Sequence, residues 1–181
     1  MSGTVVTIRD ARPEDAAALG AVHVRAWQRA YRGGLMPDGY LDGLSIEERT
    51  QMWERGLAQP LRPRSARLVA EDDRRGVIGF IVVGPAGGDA GAVDGEVYAL
   101  NVDPDAWGEG VGQALLAAGT ERLREAGYPE AVLWVHPGNE RACAFYEAAG
   151  WLREKKARHQ AVLGVEVPEV RFRRRLAGPE A

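Results

Sequence analysis

The chain has 181 residues, 45% of them apolar and 27% charged, and carries a formal net charge of −3. That length suits one packed domain, and the acidic balance gives no general attraction to nucleic acid or an anionic membrane. The single cysteine, Cys143, excludes an internal disulfide or a cysteine metal cluster and fits a reducing cytoplasm.

No apolar run is long enough to span a bilayer, and residues 1–10 are polar or charged at intervals, so neither a membrane span nor a signal peptide is expected. Val5 to Arg9 reads as a short strand. Pro13 is placed as a first helical residue, and an amphipathic helix runs to about Arg32, stopped by Gly33-Gly34. Leu35 to Leu44 reads as a loop. Ser45 and Glu48 form a capping box for a helix to about Ala58. Ala66–Glu71 and Val77–Val83 read as a hairpin, followed by a glycine-rich connection from Gly84 to Gly95.

Glu96 to Val102 is the next strand. A turn with glycines at 108, 110 and 112 then opens a helix from about Val111 to Ala126 that buries Leu115, Leu116, Gly119 and Leu123. Ala131–Val135 is a strand leading to a short helix between Asn139, a good N-cap, and Gly150, a good terminator. The last strands fall near 156–163 and 168–175, and residues 177–181 read as a frayed tail. In Arg171–Arg175, one charged face alternates with an inward Phe172. Early hairpins and a single crossover predict an α/β (α+β) fold. It is one domain over 1–181, with its core from about 5 to 175, and a mixed, mostly antiparallel sheet of about six or seven strands with helices on both faces.

Chemistry concentrates at Val102–Leu116. Closely spaced glycines let backbone amides crowd a ligand, and the following helix aims unpaired N–H groups and its positive dipole end at the same place, making an anion site for a pyrophosphate. A Walker loop and a GxGxxG fingerprint both fail at Gln113. The three serines, Ser2, Ser45 and Ser65, lie in no G-x-S-x-G elbow, so a serine hydrolase is excluded. His23, His136 and His159 have no metal-ligand spacing, and no metal is expected. Asn139 and Tyr146 are two helical turns apart on one face, and Cys143 beside Tyr146 reads as a buried filler rather than a ping-pong nucleophile. His23, Trp27 and Tyr31 also share a helix face, the usual spacing of packing residues.

The run Trp107-Gly108-Glu109-Gly110-Val111-Gly112, followed by NERACAFYEAAGW at 139–151, resembles the GNAT superfamily of acyl-CoA-dependent N-acyltransferases. The resemblance extends over most of the chain. Trp107 stands where that family's loop carries Gln or Arg, whereas the glycines match. The resemblance implies acetyl-CoA as co-substrate, held by the amides of residues 108 to 113. A pantetheine arm would pair with exposed backbone at Leu100, Asn101 and Val102, between strands 96–102 and 131–135 as they splay. It implies CoA-binding roles for Trp107, Gly108, Glu109, Gly110, Val111, Gly112, Gln113, Asn139 and Tyr146, with Tyr146 also protonating the leaving thiolate. His23, Trp27 and Tyr31 would then wall an acceptor pocket.

Amine acylation needs a proton acceptor. Glu96 is the leading candidate base, and strand alternation groups it with Tyr98, Leu100 and Val102, and with Asp94 if the strand starts earlier. The expected activity is N-acetyl transfer to a primary amine, on a small molecule or a peptide, by direct attack in a ternary complex. The acceptor, the acyl-chain preference, the need for a dedicated base and the oligomeric state stay open. Trp134 stands where enzymes that acetylate ribosomal-protein N-termini tend to carry glutamate, which argues against that acceptor. The expected setting is cytoplasmic, without nucleic-acid or membrane partners, and homodimers are common in the family. The alternatives are a catalytically inactive acyl-CoA-binding sensor and an unrelated glycine-loop binder of ATP or NAD.

Overall fold

A computed structural model describes residues 5–88, 93–162 and 164–176. The terminal segment 177–181 and the middle of the glycine-rich connection lie outside the described residues. The elements run β1 (Val6–Asp10), α1 (Ala16–Tyr31), α2 (Asp38–Asp42), α3 (Ile46–Ala58), β2 (Ala66–Asp72), β3 (Gly76–Pro85) and β4 (Gly95–Val102). They continue with α4 (Val111–Glu125), β5 (Glu130–Val135), α5 (Glu140–Ala148), β6 (Leu152–Val162) and β7 (Val165–Arg175). One seven-stranded sheet has the order β1-β2-β3-β4-β5-β7-β6, with β4 and β5 parallel and the other neighbours antiparallel.

Local chemistry sets most boundaries. The Ser45 hydroxyl accepts the Glu48 N–H at 3.2 Å and opens α3. Gly127 and Gly150, both at φ +87°, stop α4 and α5 in the left-handed conformation that favours glycine. Three expectations change. Pro13 opens a 3-10 turn, Pro13–Asp15, and α1 begins only at Ala16. The stretch read as a loop contains α2, because Leu41 is fully buried beside Met36 and Val167 and tertiary burial outweighs the Pro37 and Gly39 signals. β6 begins at Leu152 rather than near 156, since a register shift between Arg153 and Ala157 breaks its alternation.

α4 and α5 cover one face of the sheet, where Leu115, Leu123, Leu133, Trp151 and Phe172 share a core. α1 and α3 cover the other, with Leu19, Val22, Trp53 and Phe80; the Trp53 and Phe80 rings meet edge to face at 4.8 Å. Phe172 points inward with no exposure, while Arg171 bonds Glu154 and Arg173 bonds Asp94 and Glu130, at 2.8 and 2.7 Å. The arginine-rich strand is thus an ion-paired face.

One irregularity positions the site. β3 pairs Val82 with Ala99 and Val83 with Val97, so Tyr98 is an extra residue, a bulge on β4. Val97, Leu100 and Val102 all pack on the α4 side, whereas Ala99 packs on the α1 side. Simple alternation therefore fails, and Glu96 does not share a face with Leu100 and Val102. Beyond the bulge β4 leaves its parallel neighbour: Gly95–Val97 pair with Ala131–Leu133, and the two strands then diverge.

Candidate active site

The divergence opens a cleft of about 730 Å³ between β4 and β5, walled by α1 and by the starts of α4 and α5. At one end lies the glycine turn. Gly108 and Gly110 have φ of +83° and +82°, which an L side chain would strain. Gly110 is the N-cap of α4, and the first helical bond runs from the Ala114 N–H to the Gly110 carbonyl at 3.1 Å. The amides of Val111, Gly112 and Gln113 are thereby left without intrahelical partners, at the positive end of a 15-residue helix.

Trp107 takes a structural part at this end. Its indole N–H donates to the Val102 carbonyl at 2.9 Å, so this backbone acceptor, expected to face the pantetheine arm, already has a partner. The Arg141 guanidinium lies over the Trp107 ring, 3.8 Å from its centroid. Burial, and then the charge of Arg29, lower the Arg141 pKa from its ordinary value. Two guanidiniums near unpaired helix amides make an anion-attracting end. Glu109 points its carboxylate outward to Arg75 at 2.6 Å, so only its backbone belongs to the turn.

Tyr146 lines the cleft from α5. The Asn139 side chain caps that helix by accepting the Ala142 N–H at 3.1 Å. Tyr146 is buried among Phe145, Trp151 and Phe172, and burial holds its hydroxyl protonated, well above the ordinary tyrosine range. The neighbouring Tyr31 hydroxyl adds to that shift and is itself pushed up to about 12 by burial and by Glu169. Cys143 is buried on α5 but does not line the cleft, and burial raises its thiol away from thiolate formation.

The opposite end has aromatic walls. His23, Trp27 and Tyr31 form a continuous stack along α1, with centroids 5.4 and 5.3 Å apart, and Tyr31 meets His136 at 6.3 Å. Both histidines are held neutral by burial, His23 at about 4. The His136 Nδ1 accepts the Gly138 N–H at 2.9 Å, which leaves the proton on Nε2. Arg158 lies over Trp134, 4.0 Å from the ring centroid, and its Nε donates to Glu169 at 2.8 Å. Glu96 does not line the cleft. Its carboxylate sits behind this wall beside the Trp134 indole, within the fields of Arg158 and Glu169, and burial raises its pKa. Asp94 is engaged by Arg173.

The cleft thus gathers His23, Trp27, Tyr31, Leu100, Asn101, Val102, Trp107, Gly108, Gly110, Val111, Gly112, Gln113, Asn139 and Tyr146. Of the residues singled out in the sequence, Glu96, Glu109, Asp94 and Cys143 fall outside its lining. Sequence reasoning missed Arg29, Arg141, His136, Arg158 and Glu169. Arg141, two residues after the Asn139 cap, offered a local signal. Arg158 and Glu169 meet only through strand pairing, which no local pattern announces.

Residues 21–151 match the acetyltransferase (GNAT) family. The chain is 31% identical over 166 residues to the uncharacterized N-acetyltransferase YuaI of Bacillus subtilis (strain 168), covering 92% of this chain and 91% of that protein. It is 45% identical over 94 residues to the mycothiol acetyltransferase of Kocuria rhizophila, a match spanning 50% of this chain and 31% of the relative. In fold it resembles the PaiA N-acetyltransferase of Thermoplasma acidophilum in complex with coenzyme A, with a TM-score of 0.70 at 21% identity, covering 94% and 99% of the two chains. The chain belongs to the GNAT acetyltransferase family, and its seven-stranded, mostly antiparallel sheet is of that fold.

Proposed function

We propose that the protein transfers the acetyl group of acetyl-CoA to a primary amine by direct attack in a ternary complex. The observation that carries this reading is one continuous cleft lined by open helix amides, by Tyr146 and by an aromatic and carboxylate-bearing wall. The CoA pyrophosphate is assigned to the amides of residues 111 to 113 with Arg141 and Arg29. The pantetheine arm is assigned to the strand edge around Tyr98 to Asn101, which β5 leaves unpaired.

The amine nitrogen attacks the thioester carbonyl carbon from the side of Trp27 and Tyr31. Backbone N–H groups at the splay stabilise the oxyanion of the tetrahedral intermediate. Its collapse breaks the C–S bond, and the Tyr146 hydroxyl gives its proton to the departing thiolate. Glu96, acting through a water at the Trp134 wall, accepts the proton lost by the amine. Burial suits both groups: it keeps Tyr146 a proton donor and makes Glu96 a stronger base than an exposed carboxylate.

Calorimetric titration with acetyl-CoA, with ATP and NAD as controls, tests the site. Binding of acetyl-CoA alone, near micromolar or about −8 kcal/mol, is the expected outcome; binding of ATP or NAD without CoA overturns the reading. The variant Tyr146→Phe is expected to keep that binding and to lose about 100-fold or more in amine-dependent thiol release. Unchanged turnover would remove the acid role from Tyr146.

A further inference from the structure

The acceptor end holds an ion pair with unused capacity. Arg158 on β6 and Glu169 on β7 are directly opposite each other in the strand register. The Arg158 guanidinium is fixed on two sides, by its 4.0 Å approach to the Trp134 ring centroid and by its 2.8 Å Nε bond to Glu169. Its two terminal amino groups have no hydrogen-bond partner among the described residues, and both Arg158 and Glu169 line the cleft that holds Tyr146. Arg171, also near Trp134, is different: it is buried and tied to Glu154. Arg158 is therefore the guanidinium at this wall that still has a free planar fork, a shape that takes a carboxylate through two parallel hydrogen bonds.

We propose that the acceptor is a free amino acid, with Arg158 binding its carboxylate and Glu169 directing its amino group toward the thioester. The inference rests on the acetyltransferase reading above and names the substrate class for that site. The two recognition charges touch each other, so the substrate's opposite charges must also lie close together. One or two carbons between amine and carboxylate satisfy that, which is the arrangement of an α- or β-amino acid. A polyamine fits poorly, because it carries no carboxylate and leaves the Arg158 fork unfilled. Trp27, Tyr31 and Trp134 supply apolar surface for the side chain, while the neutral His23 and His136 add no charge.

The test compares matched acceptors by acetyl-CoA-dependent thiol release. Each amino acid in a panel spanning the side-chain classes is paired with its carboxamide, which keeps the shape and removes the negative charge, and with its decarboxylated amine. At least one amino acid is expected to exceed both partners in kcat/KM by roughly 10- to 100-fold, the range of a hydrogen-bonded charge. In Arg158→Gln that ratio is expected to collapse towards one while calorimetric acetyl-CoA binding is retained. A merely structural Arg158 would lower amino acid and amide alike and leave the ratio intact, and that outcome overturns the proposal. A protein that binds acetyl-CoA and acetylates polyamines or plain amines, but no amino acid, also overturns it while the acetyltransferase reading stands. Failure to bind acetyl-CoA overturns that reading itself.

Discussion

The Arg141 guanidinium lies 3.8 Å from the centroid of the Trp107 ring, joining the first turn of α5 to the glycine turn before α4. The ring is held from below by its indole bond to the Val102 carbonyl. A guanidinium positioned over a fixed ring loses little freedom when it meets an anion. Trp107 thus holds a cation over its ring at the position where the family loop has a polar side chain.

Arg141→Ala is accordingly expected to weaken acetyl-CoA binding about tenfold, equivalent to about 1.4 kcal/mol. The remaining affinity is expected to depend less on salt than that of the parent, since one phosphate-facing charge has gone. Calorimetric titrations at low and moderate ionic strength measure both effects. An unchanged Kd would place Arg141 outside the phosphate contacts.

The glycines of the turn are not equivalent. Gly110 adopts φ +82°, so alanine there is strained by about 1–2 kcal/mol. Gly112 has ordinary helical backbone, and a Cβ on it would meet Phe145 at 3.5 Å, a normal contact. Alanine at 112 gains up to about 1 kcal/mol of helix propensity. Gly110→Ala is therefore expected to lower the Tm and weaken acetyl-CoA binding, whereas Gly112→Ala is expected to raise the Tm and keep binding. Thermal unfolding of the two variants, with and without acetyl-CoA, separates them; equal losses would contradict the backbone argument.

These glycines were legible because their reasons are local: a positive φ, a helix start, a cap three residues away. The same holds for Ser45, Gly127 and Gly150. What escaped depended on distant partners. The Tyr98 bulge is defined by the register of β3, and it reverses the face assigned to Glu96 from alternation alone. α2 exists because Leu41 finds Met36 and Val167 across the chain. Arg158, Glu169 and Trp134 come together from three strands, of which the middle one, β7, is last in sequence. Periodicity shows which way one strand faces, not which strand lies beside it.

Glu96 carries a prediction that depends on its new position. Burial raises its pKa above the ordinary value, opposed by Arg158 and by the Trp134 indole. In the proposed role of base it acts deprotonated, so kcat/KM is expected to fall as pH drops through that raised value, at a higher pH than for an exposed carboxylate. Glu96→Gln is expected to lower kcat by about 100-fold or more, to abolish this acidic limb and to leave acetyl-CoA binding intact. Retention of the limb in the variant would move the base elsewhere in the wall, with Glu169 the next group to replace.

His23 links the same wall to stability. Its Nδ1 is buried with no hydrogen-bond partner among the described residues, and its ring packs against Trp27 and Phe80 at 5.4 and 5.9 Å. Burial, with Arg49 adding to it, pushes its pKa from 6.5 down to about 4. Between those values the unfolded chain binds a proton that the folded chain refuses, so this contribution to stability is full above the unfolded pKa and is lost as pH falls through the window. The loss amounts to about 3 kcal/mol in all. Phenylalanine suits the apolar setting and cannot titrate, so His23→Phe is expected to lose less stability than the parent between pH 7 and pH 4.5. Urea unfolding of both proteins at the two pH values gives the comparison, and the difference between them cancels the carboxylates they share. Identical losses would show that His23 takes up its proton in the folded state and would return it to the acceptor wall as a charged group.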